Sequence, residues 1–418
     1  MYSVTAPIVY VCDRVYSDPR SVARMERMME HITARKVERV TDEELNERVE
    51  TESLLPGGRT GQAVKDDERF IVFNNFAWHS PEELADLRKR YPKLGSHMLL
   101  GQGEWGLRDK KLLRERYDGV CQTAHELHCA TGCFHGCVYC HIKSLVTIML
   151  NLEDYVEHLD EFVKTVPRLK LFKYDNMTDQ ICFEPEYGAS EIMVTYFGKQ
   201  SDRYLLLYTK SDNVDHLLDL PHEGHTIVNW SMSCDTVSRE IERNTPTVWQ
   251  RIDAAEKCQN AGYVVRARFS PIVPIAAWRE EYAEAIREYL SRVKPDVITL
   301  DVLGWMGAAT MRECFDIDTF DPDFKSFFLD VERQDNPKRG KPFNPDGKQF
   351  FAHELRSQVY RFFIDEIRKH APDQRISICM ETPEMWEDYG DELGMSPGNY
   401  VCCCGPTSVP GNPLLPEA

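Results

Sequence analysis

The sequence predicts an α/β protein built on a partial (β/α)6 barrel, with additional N- and C-terminal elements. Two observations predict it. Between about residues 124 and 302, short apolar runs alternate with longer helical stretches. Strands alternating with helices imply parallel βα units, and six such units fit a partial barrel. The flanks break this alternation: residues 1–120 are mixed, and residues 306–418 are punctuated by proline and end in a cysteine-rich tail. The expected division is an N-terminal α/β extension over 1–120, the barrel over 121–305 and a C-terminal extension over 306–418.

In chain order, Ile8–Val11 reads as a short strand and Ser21–Ala34 as a helix with Ser21 as N-cap. Residues 41–69 are polar, with a turn at Leu54-Leu55-Pro56-Gly57-Gly58. His125–Cys129 leads into a cysteine loop, followed by a helix over Glu153–Val166 and a short strand at Gln180–Glu184. Tyr204–Lys210 is a strong strand, followed by a short helix at Asn213–Asp219. Further strands fall at Thr226–Ser231, Val264–Ser270 and Asp296–Val302, separated by helices at about 247–261 and 278–292. Residues 303–350 read as irregular, His353–Lys369 as a helix and Arg375–Met380 as a late strand. In such a barrel, catalytic groups belong at the C-terminal ends of the strands.

The segment Cys133-Phe134-His135-Gly136-Cys137-Val138-Tyr139-Cys140 carries the most specific chemistry. Cysteine thiolates are the usual ligands of iron–sulfur clusters. Three protein ligands on a four-iron cluster leave one iron open to an amine and a carboxylate. The competing reading is structural zinc, which wants four ligands, often as two C-x2-C pairs. Only one such pair is present here. Cys129, four positions before Cys133, extends the series to four thiols and leaves the register ambiguous. Cys133, Cys137 and Cys140 are preferred because they alone combine the spacing with the aromatic Tyr139.

This C-x3-C-x2-C loop resembles the signature of radical S-adenosylmethionine (SAM) enzymes, and the barrel is of radical SAM type. The resemblance implies a [4Fe-4S] cluster on Cys133, Cys137 and Cys140, with SAM on the open iron and Tyr139 against its adenine. Ala130-Thr131-Gly132, Tyr208-Thr209-Lys210, Val214–Asp219, Trp230-Ser231, Ala261-Gly262-Tyr263 and Ser270-Pro271-Ile272 further resemble spore photoproduct lyase, over roughly residues 125–305. Carried over by position, Ser190, Lys210 and Ser231 contact SAM, with Lys210 on its carboxylate. Glu184 is a candidate for its amine. Two positions depart from the lyase pattern. Gly188 stands where the lyase has its hydrogen-donating cysteine, and His141 where it has a tyrosine of its hydrogen relay.

Composition bounds the partners. The net charge of −18 argues against a general DNA binder, whose affinity comes from Lys and Arg on phosphates. The most basic stretch, Arg333–Lys341 with Lys338, Arg339 and Lys341, reads as a solvated loop. No run of roughly 18 apolar residues and no signal peptide is expected. Fourteen cysteines without a secretory signal point to reduced thiols in the cytoplasm. A radical SAM enzyme also implies an external electron donor such as flavodoxin or ferredoxin.

Strand period two puts Arg266 and Arg268 on one face of Val264–Ser270, pointing into the barrel. Arginine suits phosphate or carboxylate. The pair is a candidate for an anionic small-molecule substrate such as a nucleotide or phosphorylated sugar, with an internal ion pair as the alternative. Cys402, Cys403 and Cys404 in the Gly/Pro-flanked tail are candidates for an auxiliary iron–sulfur cluster or metal, or for hydrogen or sulfur donation. The tail is expected to fold over the barrel mouth as a lid. The functional expectation is hydrogen abstraction by a 5'-deoxyadenosyl radical, serving rearrangement, epimerisation or carbon–sulfur bond formation in a specialised biosynthetic pathway. Photoproduct repair in DNA and a non-catalytic metal-binding role are the alternatives.

Overall fold

The computed structural model describes residues 1–52, 54, 69–142, 145–334 and 350–416. Of the expected Leu54–Gly58 turn only Leu54 falls among them; Lys338, Arg339 and Lys341 lie outside. Fifteen strands follow in chain order: β1 Val4–Cys12, β2 Ile32–Val40, β3 Ile71–Asn74, β4 Trp105–Arg108, β5 Ala124–Leu127, β6 Ala130–Thr131, β7 Gly136–Cys137, β8 Val146–Met149, β9 Leu171–Tyr174, β10 Tyr204–Thr209, β11 Thr226–Met232, β12 Glu242–Arg243, β13 Val264–Ile272, β14 Ile298–Val302 and β15 Ile376–Ile378. They form a five-stranded sheet, β2-β1-β3-β8-β6, and an eight-stranded sheet, β15-β14-β13-β11-β10-β9-β5-β4. A small β12-β7 pair completes the set. The eight-stranded sheet is parallel except for β4, and among the described residues its edges β15 and β4 do not pair with each other.

Local sequence accounts for most elements. The first helix spans Pro19–Met29, not Ser21–Ala34. Its N-cap is Asp18, whose carboxylate accepts from the Arg20 N–H and the Ser21 hydroxyl, with Pro19 entering the first turn. The remainder of the expected helix becomes β2, where Ile32, Thr33 and Val37 favour a strand. Gln180–Phe183 is a 3-10 turn instead of a strand. The strand of that unit is β9, which the sequence reading missed because Lys173 interrupts its apolar run; the Lys173 amine is buried on Glu126 at 3.1 Å. Residues 303–350 are not irregular throughout: helices run over Ala308–Cys314 and Pro322–Gln334.

Parallel register carries one face of the large sheet from strand to strand. Glu126 stands beside Lys173, Lys173 beside Leu206, and Tyr208 beside Asn229. Asn229 and Ser231 stand beside Arg266 and Arg268, Arg268 beside Thr299, and Thr299 beside Ser377. Period two adds Asp301 to this face. On the opposite face, Phe269 packs on Tyr282 and Phe363 of the outer helices. The arginine face of β13 therefore points inward.

The C-terminal tail packs on that inner face. The Cys403 N–H donates to Thr299 Oγ1 at 2.9 Å, and Arg266 donates to the carbonyls of Cys403 (3.1 Å) and Ser408 (2.8 Å). The Pro406 carbonyl accepts from Lys170 and Leu171 at the start of β9, both at 3.1 Å. These contacts lie at the N-terminal strand ends. The tail is thus a floor to the barrel, not a lid over its mouth, because the inward charges and backbone donors there need partners. Arg266 is fully buried and forms two 2.7 Å hydrogen bonds to Asp296. It is committed to the fold and does not stand open to a ligand. Arg266→Ala leaves Asp296 and two tail carbonyls unpaired and is expected to cost about 3–5 kcal/mol. Denaturant unfolding reads this directly; a loss below about 1 kcal/mol contradicts the anchoring role.

Candidate active site

The cysteine loop lies across the C-terminal ends of the strands. β7, which contains Cys137, pairs antiparallel with β12 beyond β11. His135 Nδ1 bonds the Asn244 carbonyl (2.7 Å), and its Nε2 meets Asp179 (3.1 Å) and Ser211 (3.2 Å), which follow β9 and β10. Asp179 also accepts from the Thr209 hydroxyl (2.9 Å) and the Lys210 N–H (2.7 Å). Burial pushes the Asp179 carboxyl up, but His135 and these donors outweigh it and leave it below the usual range. The loop is therefore fixed to three βα units at the barrel mouth.

Cys133 and Cys137 are buried and Cys140 is half-buried. The Cys133 sulfur accepts from the His135 N–H at 3.4 Å, and the Cys140 sulfur from the Ile142 N–H at 3.5 Å. A hydrogen bond from Cys182, then the nearby His135, pull the Cys133 thiol down to about 6 against the opposing effect of burial. Burial drives Cys137 upward. Among the described residues, no three His, Cys, Asp or Glu side chains converge on a single metal ion. Around a four-iron cluster each thiolate binds its own iron, so the thiols stand further apart. The donor set fits that group: three thiols at the mouth, one biased toward thiolate, on a loop held rigidly from behind. Cys129 is fully buried, its thiol is driven upward by burial, and its carbonyl accepts from Tyr187 at 3.0 Å.

Tyr139 donates to Glu242, which also meets Arg251 (2.6 Å), the Ser233 hydroxyl (3.0 Å) and Lys210 Nζ (3.7 Å). Lys210 Nζ lies 5.9 Å from the Tyr139 ring centroid. Trp305, after β14, meets Tyr139 edge-on at 6.5 Å and is partly exposed. It is a mouth aromatic that sequence reasoning did not single out; a tryptophan just past a barrel strand was the available signal. Ser231 is half-buried on the inner face, and His141 is exposed directly after the loop. Glu184 is fully buried, with its carboxylate on the N–H groups of Gly188 (2.8 Å) and Ser190 (2.7 Å). Burial pushes it up to about 6. Both oxygens face a helix N-terminus, which disagrees with the expected contact to an amine. The Ser190 side chain is buried beside the Glu184 carboxylate and counters the effect of burial on it. Gly188 adopts φ 72°, so a cysteine there would be strained.

The interior below the mouth is polar. Arg268 donates to Asp301 (2.9 Å), which also takes the Ser270 hydroxyl (2.6 Å). His128 bonds Asp175 at 2.7 Å, and Lys173 lies 4.8 Å from the Tyr208 ring centroid. Cys403 meets the Tyr208 hydroxyl at 2.8 Å, and Arg108 donates to the Cys404 sulfur at 3.3 Å. The tail cysteines thus reach the barrel interior from below. Both candidate substrate arginines are paired with protein carboxylates, as inward charges in a barrel must be.

A mouth-spanning three-cysteine loop on an open parallel α/β barrel defines a radical SAM-type protein, a class that works with a [4Fe-4S] cluster and SAM. Residues 117–306 match the family described as spore photoproduct lyase, to which that part of the chain is similar. The lyase of Clostridium acetobutylicum is 25% identical over 186 residues, 43% of this chain and 55% of the relative. That of Bacillus subtilis is 28% identical over 175 residues, 40% and 51% of the two chains. The chain spans about half the length of these relatives. A solved cysteine-to-serine mutant of spore photoproduct lyase shares the fold, with TM-score 0.61 and 16% identity over 90% of this chain and 98% of that one. A lyase mutant with bound AdoMet and dinucleoside spore photoproduct gives TM-score 0.58 at 16% identity, with the same coverage.

Replacing Cys133, Cys137 or Cys140 by Ala is expected to abolish the reducible cluster. Cys129→Ala is expected to keep it, at a stability cost of about 1 kcal/mol. Iron and sulfide content with visible absorbance checks both. A cluster lost with Cys129 and kept without Cys140 shifts the register by one cysteine.

Proposed function

We propose that this protein is a radical SAM enzyme that abstracts hydrogen from a small anionic molecule, a nucleotide or a phosphorylated sugar, held in the barrel interior. The observation that carries this reading is the position of Cys133, Cys137 and Cys140 over a polar, largely closed interior. These three thiols would hold the cluster, and Tyr139, Lys210 and Ser231 would hold SAM. When bound, the pair supplies a 5'-deoxyadenosyl radical. The rest falls to the chain. Glu242, clamped by Arg251, fixes Tyr139 and orients Lys210. The tail closes the floor, and Tyr139 with Trp305 narrows the mouth, which keeps water from a radical. Arg108, Lys173 and Arg268 set three cations against the carboxylates of Glu126 and Asp301, beside the His128–Asp175 pair. That balance favours an anionic substrate. Rearrangement, epimerisation and carbon–sulfur bond formation are all consistent with such a chamber, and an external flavodoxin- or ferredoxin-type protein supplies the electron.

A second reading, repair of a DNA photoproduct, is favoured by the name the relatives carry. The net charge of −18 and the strained, thiol-free position of Gly188 weigh against it. Retention of damaged duplex DNA in a gel shift at physiological salt, with photoproduct reversal, would favour repair. Release of 5'-deoxyadenosine carrying deuterium from a labelled nucleotide or sugar phosphate would favour the small-molecule reading. If no 5'-deoxyadenosine forms under anaerobic reduction, neither stands.

Lys210→Ala removes a charge-assisted contact to the SAM carboxylate. It is expected to weaken SAM binding roughly 10–150-fold, about 1.5–3 kcal/mol, with iron content unchanged. Equilibrium binding to the reconstituted protein measures it. An unchanged affinity leaves Lys210 as a partner of Glu242 alone.

A further inference from the structure

Five of the fourteen cysteines gather in the barrel interior and at its floor, away from the loop. Cys121 precedes β5, Cys379 follows β15, and Cys402, Cys403 and Cys404 arrive on the tail. Cys379 interacts electrostatically with Cys404 and Cys121, and Cys402 with Cys403, Cys404 and Cys379. Four of the five are buried and Cys121 is half-buried. Three separate chain segments would have to bring thiols here by chance, and a small hydrophobe such as alanine would fill such sites as well.

The surroundings favour a negatively charged guest. Arg108 donates from Nη2 to the Cys404 sulfur at 3.3 Å, and Arg268 from Nη2 to the Cys379 sulfur at 3.7 Å. The Nε–H of each arginine is buried with no hydrogen-bond partner. Lys173 stands behind them, over the Tyr208 ring. Unmade hydrogen bonds from buried guanidinium groups are costly. Inorganic sulfide and thiolate sulfur are acceptors that would take them, and hydrogen bonds to sulfur are a normal part of an iron–sulfur environment.

We propose that this pocket holds a second iron–sulfur cluster, ligated by Cys121, Cys379, Cys402 and Cys404. The Cys404 thiol is hydrogen-bonded with those of Cys402 and Cys403, and Cys403 is also engaged by the Tyr208 hydroxyl at 2.8 Å. Among the described residues no three of these groups converge on a single ion, either here or in the loop. Four thiols drawn from three chain segments match the ligand set of a polynuclear cluster, in which each thiolate binds its own iron. The negative charge of a four-thiolate cluster would draw on the same three cations, Arg108, Arg268 and Lys173, which with the cluster in place no longer favour an anionic substrate. The same floor that seals the barrel would then be tied together by metal.

This inference stands independently of the reaction proposed above, because its test reads metal and not turnover. The full-length protein, reconstituted anaerobically with ferrous iron and sulfide, is expected to bind roughly eight iron and eight sulfide per chain. A variant with Cys133, Cys137 and Cys140 all replaced by Ala is expected to keep about half, with its own electron paramagnetic resonance signal. Cys404→Ser in the otherwise unchanged chain is expected to lose about half, and Cys403→Ser to lose none. The proposal is overturned if the triple variant, folded by circular dichroism, holds no iron. It is equally overturned if Cys404→Ser leaves the iron content unchanged, or if the triple variant carries one zinc instead.

Discussion

Charges withdrawn from water must be paired, and here parallel register turns a row of them inward. Glu126, Lys173, Arg266, Arg268 and Asp301 all face the interior of the large sheet. Each is answered: Lys173 by Glu126, Arg268 by Asp301, Arg266 by Asp296 and two tail carbonyls. Much else in the structure follows. The tail is drawn into the barrel because Arg266, Thr299 and the first N–H groups of β9 offer it bonds. An apolar inner face would have collapsed on itself and left neither a floor nor a polar site.

The cysteine loop depends on a second buried network of the same kind. His135, Asp179 and Ser211 hold it to the strand ends, while Glu242, Arg251, Tyr139 and Lys210 form the adjoining wall. Glu242 and Arg251 are almost wholly buried, which makes their pairing obligatory and the wall stiff. A loop on such a support presents its thiols in a fixed arrangement, as a site for demanding chemistry requires.

Much of this was legible in the sequence. The alternation of strands and helices, the inward face of Val264–Ser270 and the thiol loop each rest on short-range patterns with fixed periods. β9 was not legible, because a lysine in its middle breaks the apolar run and only the distant Glu126 explains it. β2 was hidden for a related reason: ITARKVERV is charged on an exposed face and reads as the end of the preceding helix. For Arg266 the sequence left an anionic ligand and an ion pair open, and only the fold brings Asp296 and the tail against it. Glu184 likewise gives its carboxylate to the helix that begins four residues on. The convergence of Cys121, Cys379 and the tail thiols is invisible in one dimension, since it spans nearly the whole barrel.

Gly188, with His141, is a position at which the sequence departs from the lyase pattern. Its backbone is left-handed at φ 72°, and no atom lies within 4 Å of where a Cβ would stand. Glycine is there for conformation, so a thiol donor has to come from elsewhere or the chemistry has to do without one. We propose that the mouth cysteines carry a cluster with an open iron for SAM. Electron paramagnetic resonance of the reduced, anaerobically reconstituted protein tests it most directly. The account predicts a cluster signal that shifts when SAM is added and vanishes with Cys137→Ala. A signal indifferent to SAM, or a protein that takes up zinc in place of iron at these thiols, would contradict it.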